Sequence, residues 1–189
     1  MSEKIAVHWF RQDLRIKDNP SLEAASKCDS FIPIYILDDT NSGEFKMGSA
    51  SRWWLYHSLN KLNESLGGSL RLFKGDPCEI LPKLIEDYSV SNVFWNRCYE
   101  PWRIDRDKKI KNELETNNII VESFCGSLLW EPWNISKDDG TPYRVFTPFY
   151  KKGCLNASEP RLPISEPSFE NISKKAVSYT HLRAHETSL

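Results

Sequence analysis

Five short runs of β-branched, aliphatic or aromatic residues recur within the first 125 positions, each bounded by polar or Gly/Pro breakers. They are "KIAVHWF" (4–10), "FIPIYIL" (31–37), "LRLFKG" (70–75), "VFWNR" (93–97) and "IIVESF" (119–124). Their length and side-chain types favour strands over buried helix. Pro33 lacks a ladder donor, so the second run should place it near a strand start or at an edge.

Between the runs lie helical patterns. Asn19 before Pro20 reads as a side-chain cap with proline at the first helical position. Residues 49–68 carry Leu55, Leu59, Leu62 and Leu66 on one stripe, and Gly67-Gly68 end it. Asp76-Pro77 and Pro101 open two further helices. Strands joined through helices need right-handed crossovers, which build a parallel sheet covered on both faces. The expected fold class is therefore α/β: a Rossmann-like three-layer α/β/α domain with a five-stranded parallel sheet over residues 1–125. In such sheets ligands bind beyond the carboxyl ends of the strands, where the strand order reverses. Three polar loops should meet at that rim: Arg11 to Arg15, Asp38-Asp39, and Asn96 to Glu100.

Past residue 126 the rhythm breaks. "LLWEPWNISKDDGTPYRVFTPFYKK" is rich in turn signals and aromatics, and "ASEPRLPISEPSFE" has linker character, so 126–175 reads as a connector.

Several function classes are disfavoured. Basic and acidic side chains number 25 and 26, so bulk charge calls for neither nucleic acid nor an acidic membrane. Five scattered cysteines without a CxxC pair fit reduced thiols and a cytoplasmic protein. No run has the length of a membrane span and no signal peptide is visible. The first strand is followed by "RQDLR" where a dinucleotide fold carries GxGxxG, and no Ser-His-Asp or Cys-His set stands out.

"WFRQDLRIKDNPSL", "SRWWLYHSL", "VFWNRCYEP" with its following "RD", and "GTPYRVFTPFYK" occur in an order that resembles the N-terminal part of the DNA photolyase and cryptochrome family. The resemblance spans roughly residues 4–155. It implies an α/β domain that holds a light-harvesting antenna chromophore (a deazaflavin, folate or flavin), with catalytic FAD in a helical domain beyond the connector. The implied whole protein is a light-dependent deoxyribodipyrimidine photolyase acting on UV-damaged DNA, expected as a monomer, whose substrate dimer is flipped from the duplex. A cryptochrome photoreceptor and a stand-alone nucleotide-binding module are the alternatives. On the resemblance, this part alone has no repair activity. Residues 176–189, "AVSYTHLRAHETSL", resemble translated adapter sequence and read as a non-native tail, so the His181 and His185 spacing is not taken as a metal site.

The candidate chromophore contacts are Arg11, Asp13, Asp38, Arg52, Asn96 and Glu100. Arg11 and Asp13 equally suit an internal ion pair that pins the loop, and Arg15 reads as structural. Arg52 could meet an anionic group beside a helix N-terminus or be an exposed first-turn arginine. Asn96 and Glu100 offer donors and acceptors to a heterocycle, with helix capping the alternative for Glu100. Folate-binding members of one branch carry Asn-Glu where this chain has Trp102-Arg103, which speaks against that folate mode. Trp53 and Trp54 are expected in the core.

Overall fold

The computed structural model describes residues 3–173. The expected tail, with His181 and His185, lies outside the described residues. Five strands, β1 (Ile5–Phe10), β2 (Ser30–Leu37), β3 (Arg71–Lys74), β4 (Asn92–Asn96) and β5 (Ile120–Phe124), form one parallel sheet in the order β3-β2-β1-β4-β5. Four helices join them: α1 (Pro20–Ser26), α2 (Ser49–Ser65), α3 (Pro77–Tyr88) and α4 (Pro101–Thr116). The strand order reverses between β1 and β4.

The helix starts follow the caps in the sequence. Asn19 Oδ1 accepts from Leu22 N at 3.2 Å ahead of Pro20, and Asp76 Oδ1 accepts from Cys78 N at 2.9 Å ahead of Pro77. Each cap satisfies one of the backbone donors that a helix N-terminus leaves over. Gly67 and Gly68, at φ +60° and +80°, supply the left-handed turn that ends α2.

Alternate strand residues feed two cores, as a sheet buried on both faces requires. Val7, Trp9, Ile34 and Val93 pack with Leu81 and Leu84 of α3 and Ile110 and Leu114 of α4. Phe10, Phe31, Tyr35 and Phe94 pack with Leu22 of α1 and Leu59 and Leu62 of α2. The result is the three-layer α/β/α architecture expected from the alternation.

Pro33 sits in β2 opposite His8 of β1, ahead of the stretch Ile34–Leu37 that β3 pairs. The edge it leaves open is covered by the chain after β5. Phe31 N donates to Asn171 O at 3.1 Å, Ser173 N donates to Phe31 O at 2.8 Å, and Ile172 is buried beside Phe31. Asn171 Nδ2 donates to the Ser26 and Cys28 carbonyls, and Ile164 O accepts from Asp18 N. The expected connector thus folds back across α1 and β2.

Trp53 and Trp54 correct the expectation of core packing: they are 63% and 69% exposed. The leucine stripe explains why. At about 100° per residue, Trp53 falls opposite Leu55 on α2, away from the sheet. Among the described residues no helix is long and apolar enough to cross a membrane.

His8 is fully buried on β1, its Nε2 2.8 Å from Ser21 Oγ of α1. Burial pushes its pKa down to about 3, against a smaller upward contribution from Asn19. The unfolded chain therefore takes up the proton first, and stability is lost as pH falls from the ordinary value of 6.5 towards the folded one. Asp13, whose carboxyl burial raises, acts in the opposite sense low in this window. The urea midpoint should fall between about pH 7 and about pH 5. His8→Asn should flatten that slope; an unchanged slope would show that His8 is not its source.

Candidate functional site

A cavity of about 940 Å³ opens above the carboxyl ends of β1 and β2, beside the point where the strand order reverses. Trp9, Tyr35 and Leu37 form its floor. One wall is the N-terminal half of α2, with Ser51, Trp54 and Leu55, and the other is the start of α4, with Trp102, Arg103 and Arg106. Gln12 to Arg15 and the short loop carrying Ser42, Phe45 and Met47 make the rim.

Beneath that rim runs a buried chain of charges. Asp38 Oδ2 accepts from Arg106 Nη1 at 2.8 Å. Arg106 Nε and Nη2 donate to Asp107 Oδ1 at 3.1 and 2.8 Å. Asp107 Oδ2 accepts from Arg11 Nη1, and Arg11 Nε donates to the Asn96 carbonyl at 3.0 Å. Two guanidinium groups and two carboxylates alternate, so the buried charges are paired. The Arg11 and Arg106 guanidinium carbons lie 5.1 and 5.0 Å from the Trp9 ring centroid, where the ring adds cation–π attraction.

A second, mostly neutral knot meets it at Asn96. Asn96 Nδ2 donates to Asp13 Oδ2 and, at 2.8 Å, to Asn19 Oδ1, while Asn96 Oδ1 accepts from Ser21 N at 3.3 Å. Gly126 approaches so closely that a Cβ there would overlap the Asn96 side chain. Asp13 also accepts from its neighbour Arg11 N at 3.3 Å. Burial outweighs these bonds and the Arg11 charge, and raises the Asp13 pKa.

The candidate residues from the sequence are thus brought to one edge but take different places. Arg11, Asp13 and Asp38 border the cavity with their polar atoms turned to protein partners. Asn96 lies below the rim. Arg52 packs behind the 42–47 loop, where Nε donates to Met47 O at 3.0 Å and Nη2 to Asp39 Oδ1 at 2.8 Å. Glu100 stands just before α4, and its Oε1 accepts from Gln12 Nε2 at 2.6 Å, with no side-chain cap on the helix. Burial raises its pKa, but its own backbone N–H, Gln12 and Arg103 together hold it below the ordinary value. Arg15 donates to the Asp18 and Gly126 carbonyls, a structural role.

Sequence reading missed Arg103, Arg106 and Asp107 as site residues although "RD" was part of a recognised motif. A signal existed: Arg106 lies one turn before Ile110 and two before Leu114, at a stripe position of α4 otherwise apolar. It also missed Tyr35, whose hydroxyl burial pushes up to about 12.

Buried polar atoms without a hydrogen bond among the described residues collect here. Trp9 Nε1, Ser42 Oγ and Arg103 Nε belong to lining residues, and Glu100 Oε2 lies 3.7 Å from Arg103 Nε. Glu100 Oε2 and Arg103 Nε face each other as an ion pair, which leaves the Trp9 Nε1 donor and the Ser42 hydroxyl; buried polar groups seldom go unpaired, so these two fit a heterocycle that presents acceptors.

Fold and cavity define the class of doubly wound, parallel α/β domains with a cavity beside the point where the strand order reverses. A family model described as DNA photolyase matches residues 6–168, and the chain belongs to that family. It is 40% identical over 173 residues to a deoxyribodipyrimidine photo-lyase of Agrobacterium fabrum, covering 88% of this chain and 35% of that protein. It is 38% identical over 160 residues to cryptochrome-2 of Arabidopsis thaliana, covering 82% and 26%. A crystallised bacterial class III photolyase from Agrobacterium tumefaciens superposes with a TM-score of 0.83 at 37% identity, over 93% of this chain and 36% of that one. The chain therefore spans about a third or less of these relatives' length and corresponds to their N-terminal part.

Arg106→Ala leaves Asp38 and Asp107 without their shared cation. It should lower unfolding free energy by about 3–5 kcal/mol in urea titrations. Lys27→Ala, which removes the exposed Lys27–Glu23 pair, should cost about 1 kcal/mol or less. Equal losses would deny the charge chain its structural weight.

Proposed function

We propose that this chain is the antenna-binding domain of a light-dependent DNA repair lyase for pyrimidine dimers. The observation that carries the reading is the cavity at the carboxyl edge, with its unpartnered buried polar atoms. Its volume suits a fused-ring pigment. When bound, a deazaflavin, folate or flavin would supply absorbed light energy to FAD in the helical domain of the whole protein. The protein's own residues orient and exclude. Trp9 and Tyr35 give the ring a floor, Trp54 and Trp102 flank it, and Trp9 Nε1 and the Ser42 hydroxyl donate to its acceptors. Arg11, Asp13, Asp38, Arg52, Asn96 and Glu100 are proposed as the frame of the site, with Arg11, Asp13 and Asp38 nearest the ligand. UV-damaged DNA is the proposed partner of the whole protein, whose catalytic chemistry is not assigned to this domain.

The exposed aromatic surface after β5 supports the same reading. Phe146 and Tyr150 stack at 5.8 Å, and Trp133 and Val145 of the same stretch are exposed, a surface that suits cover by a further domain. The nearly equal likeness to cryptochrome-2 keeps a blue-light photoreceptor as the second reading. Blue-light loss of pyrimidine dimers by the FAD-loaded whole protein supports repair, and light-driven flavin reduction without dimer loss supports the receptor.

For the domain itself, fluorescence titration of the full chain with a flavin, a deazaflavin and a folate should find one pigment bound at one equivalent. Ser51→Trp should abolish that binding while circular dichroism stays unchanged. Tight AMP or ATP binding with no pigment affinity would instead support a nucleotide-binding module.

A further inference from the structure

Beside the cavity, on the outer side of α2, lies a more open groove of about 560 Å³. Leu14, Arg15, Trp54 and Ser58 line both spaces, so the two are continuous over the Trp54 ring. Their charge differs. The cavity sets Asp13, Asp38 and Asp39 against Arg11, Arg103, Arg106 and the shared Arg15, whereas the groove has Arg15, Lys17 and Lys61 in its lining and no carboxylate among the described residues that line it.

Resting on the pigment reading above, we propose that this groove holds the anionic tail of the ligand whose ring occupies the cavity. A planar ring enters an almost charge-balanced space, and carboxylates or phosphates attached to it run over Trp54 into the basic groove. The nearby acids are already engaged. Asp18 accepts from Arg161 at 2.5 Å, and Glu64 pairs with Lys61 at 2.7 Å, an exposed contact that a tail can replace at little cost. Arg15 is held in place by the Asp18 and Gly126 carbonyls through Nε and Nη2, which leaves Nη1 without a hydrogen bond among the described residues. Lys17 is exposed and makes no ion pair among them.

The aromatic side of the groove is an independent mark. Trp53, which helical periodicity places away from the core, and the exposed Trp54 at its side both border the groove. His57 packs on Trp53 with ring centroids 4.4 Å apart, which fixes that indole as a flat wall. Large exposed indoles beside cations fit a linker carrying apolar and amide or ribityl segments between ring and anion. This account gives α2 two ligand-facing surfaces, one for each part of a bipartite molecule.

The test compares ligand pairs that share a ring and differ in tail, on the full chain: riboflavin against flavin mononucleotide, and a methenyl folate with one glutamate against the same ring with a longer glutamate chain. The longer-tailed or phosphorylated member should bind about fivefold to tenfold more tightly at low salt, and the gain should shrink as salt rises. Lys17→Glu with Lys61→Glu should remove the gain and leave the affinity for riboflavin, which has no anionic tail, unchanged. A gain confined to one pair supports the proposal and identifies the tail as phosphate or carboxylate. Equal affinities within both pairs, or a gain that survives both glutamate substitutions, overturn the tail groove while the cavity reading stands. Binding of a short oligothymidylate that those substitutions abolish, without any tail effect, overturns it in favour of nucleic acid. Failure of every ring to bind overturns both.

Discussion

The alternating ion pairs from Asp38 through Arg106 and Asp107 to Arg11 and the Asn96 carbonyl hold the carboxyl edge of the sheet in one shape. They tie β2, α4, β1 and β4, elements far apart in sequence. Without such a clamp, the loops after β1 and β2 and the start of α4 would each carry unpaired charge at the mouth of an apolar core, which is costly. With it, the charges neutralise one another, and the cavity above is floored by rigid strand ends. Such preorganisation is what a site needs if a ring is to be held in a fixed position and orientation.

That clamp also explains why this edge is so charged directly behind a buried strand. Arg11 follows the last residue of β1 and turns inward to Asp107 and Asn96, lying against the Trp9 ring. Asp13 turns back onto Asn96, and the exposed Gln12 between them reaches across the rim to Glu100. One short loop thus supplies an ion-pair partner, a hydrogen-bond acceptor for the Asn96 knot and a link to α4.

Much of the fold was legible because its signals are local. Asn19-Pro20 and Asp76-Pro77 announce helix starts by satisfying backbone donors, and apolar runs bounded by breakers announce strands. The candidate site was legible only as a place. Arg11, Asp13, Asp38 and Asn96 converge as sequence spacing suggested, but their hydrogen-bond partners depend on strand order, which spacing does not give. Arg106 stands at a stripe position of α4, but that its partners are Asp38 and, through Asp107, Arg11 follows only from how the sheet is ordered. Trp53 and Trp54 were read from residue type, and the helical period that contradicts that reading was already in the leucines beside them. The return of residues 171–173 to β2 had no periodic signal, since a few backbone bonds and Ile172 suffice to hold it.

Photolyase-family membership says what class of domain this is, and the cavity at the carboxyl edge is where the proposed pigment would sit. The most direct measurement is a crystal structure of the chain soaked with the pigment that it binds in solution. The account predicts ring density in the cavity over Trp9 and Tyr35, with Trp9 Nε1 and Ser42 Oγ within hydrogen-bonding distance of ring acceptors. Ring density elsewhere on the molecule, or a pigment that binds while this cavity stays filled only with water, would contradict it.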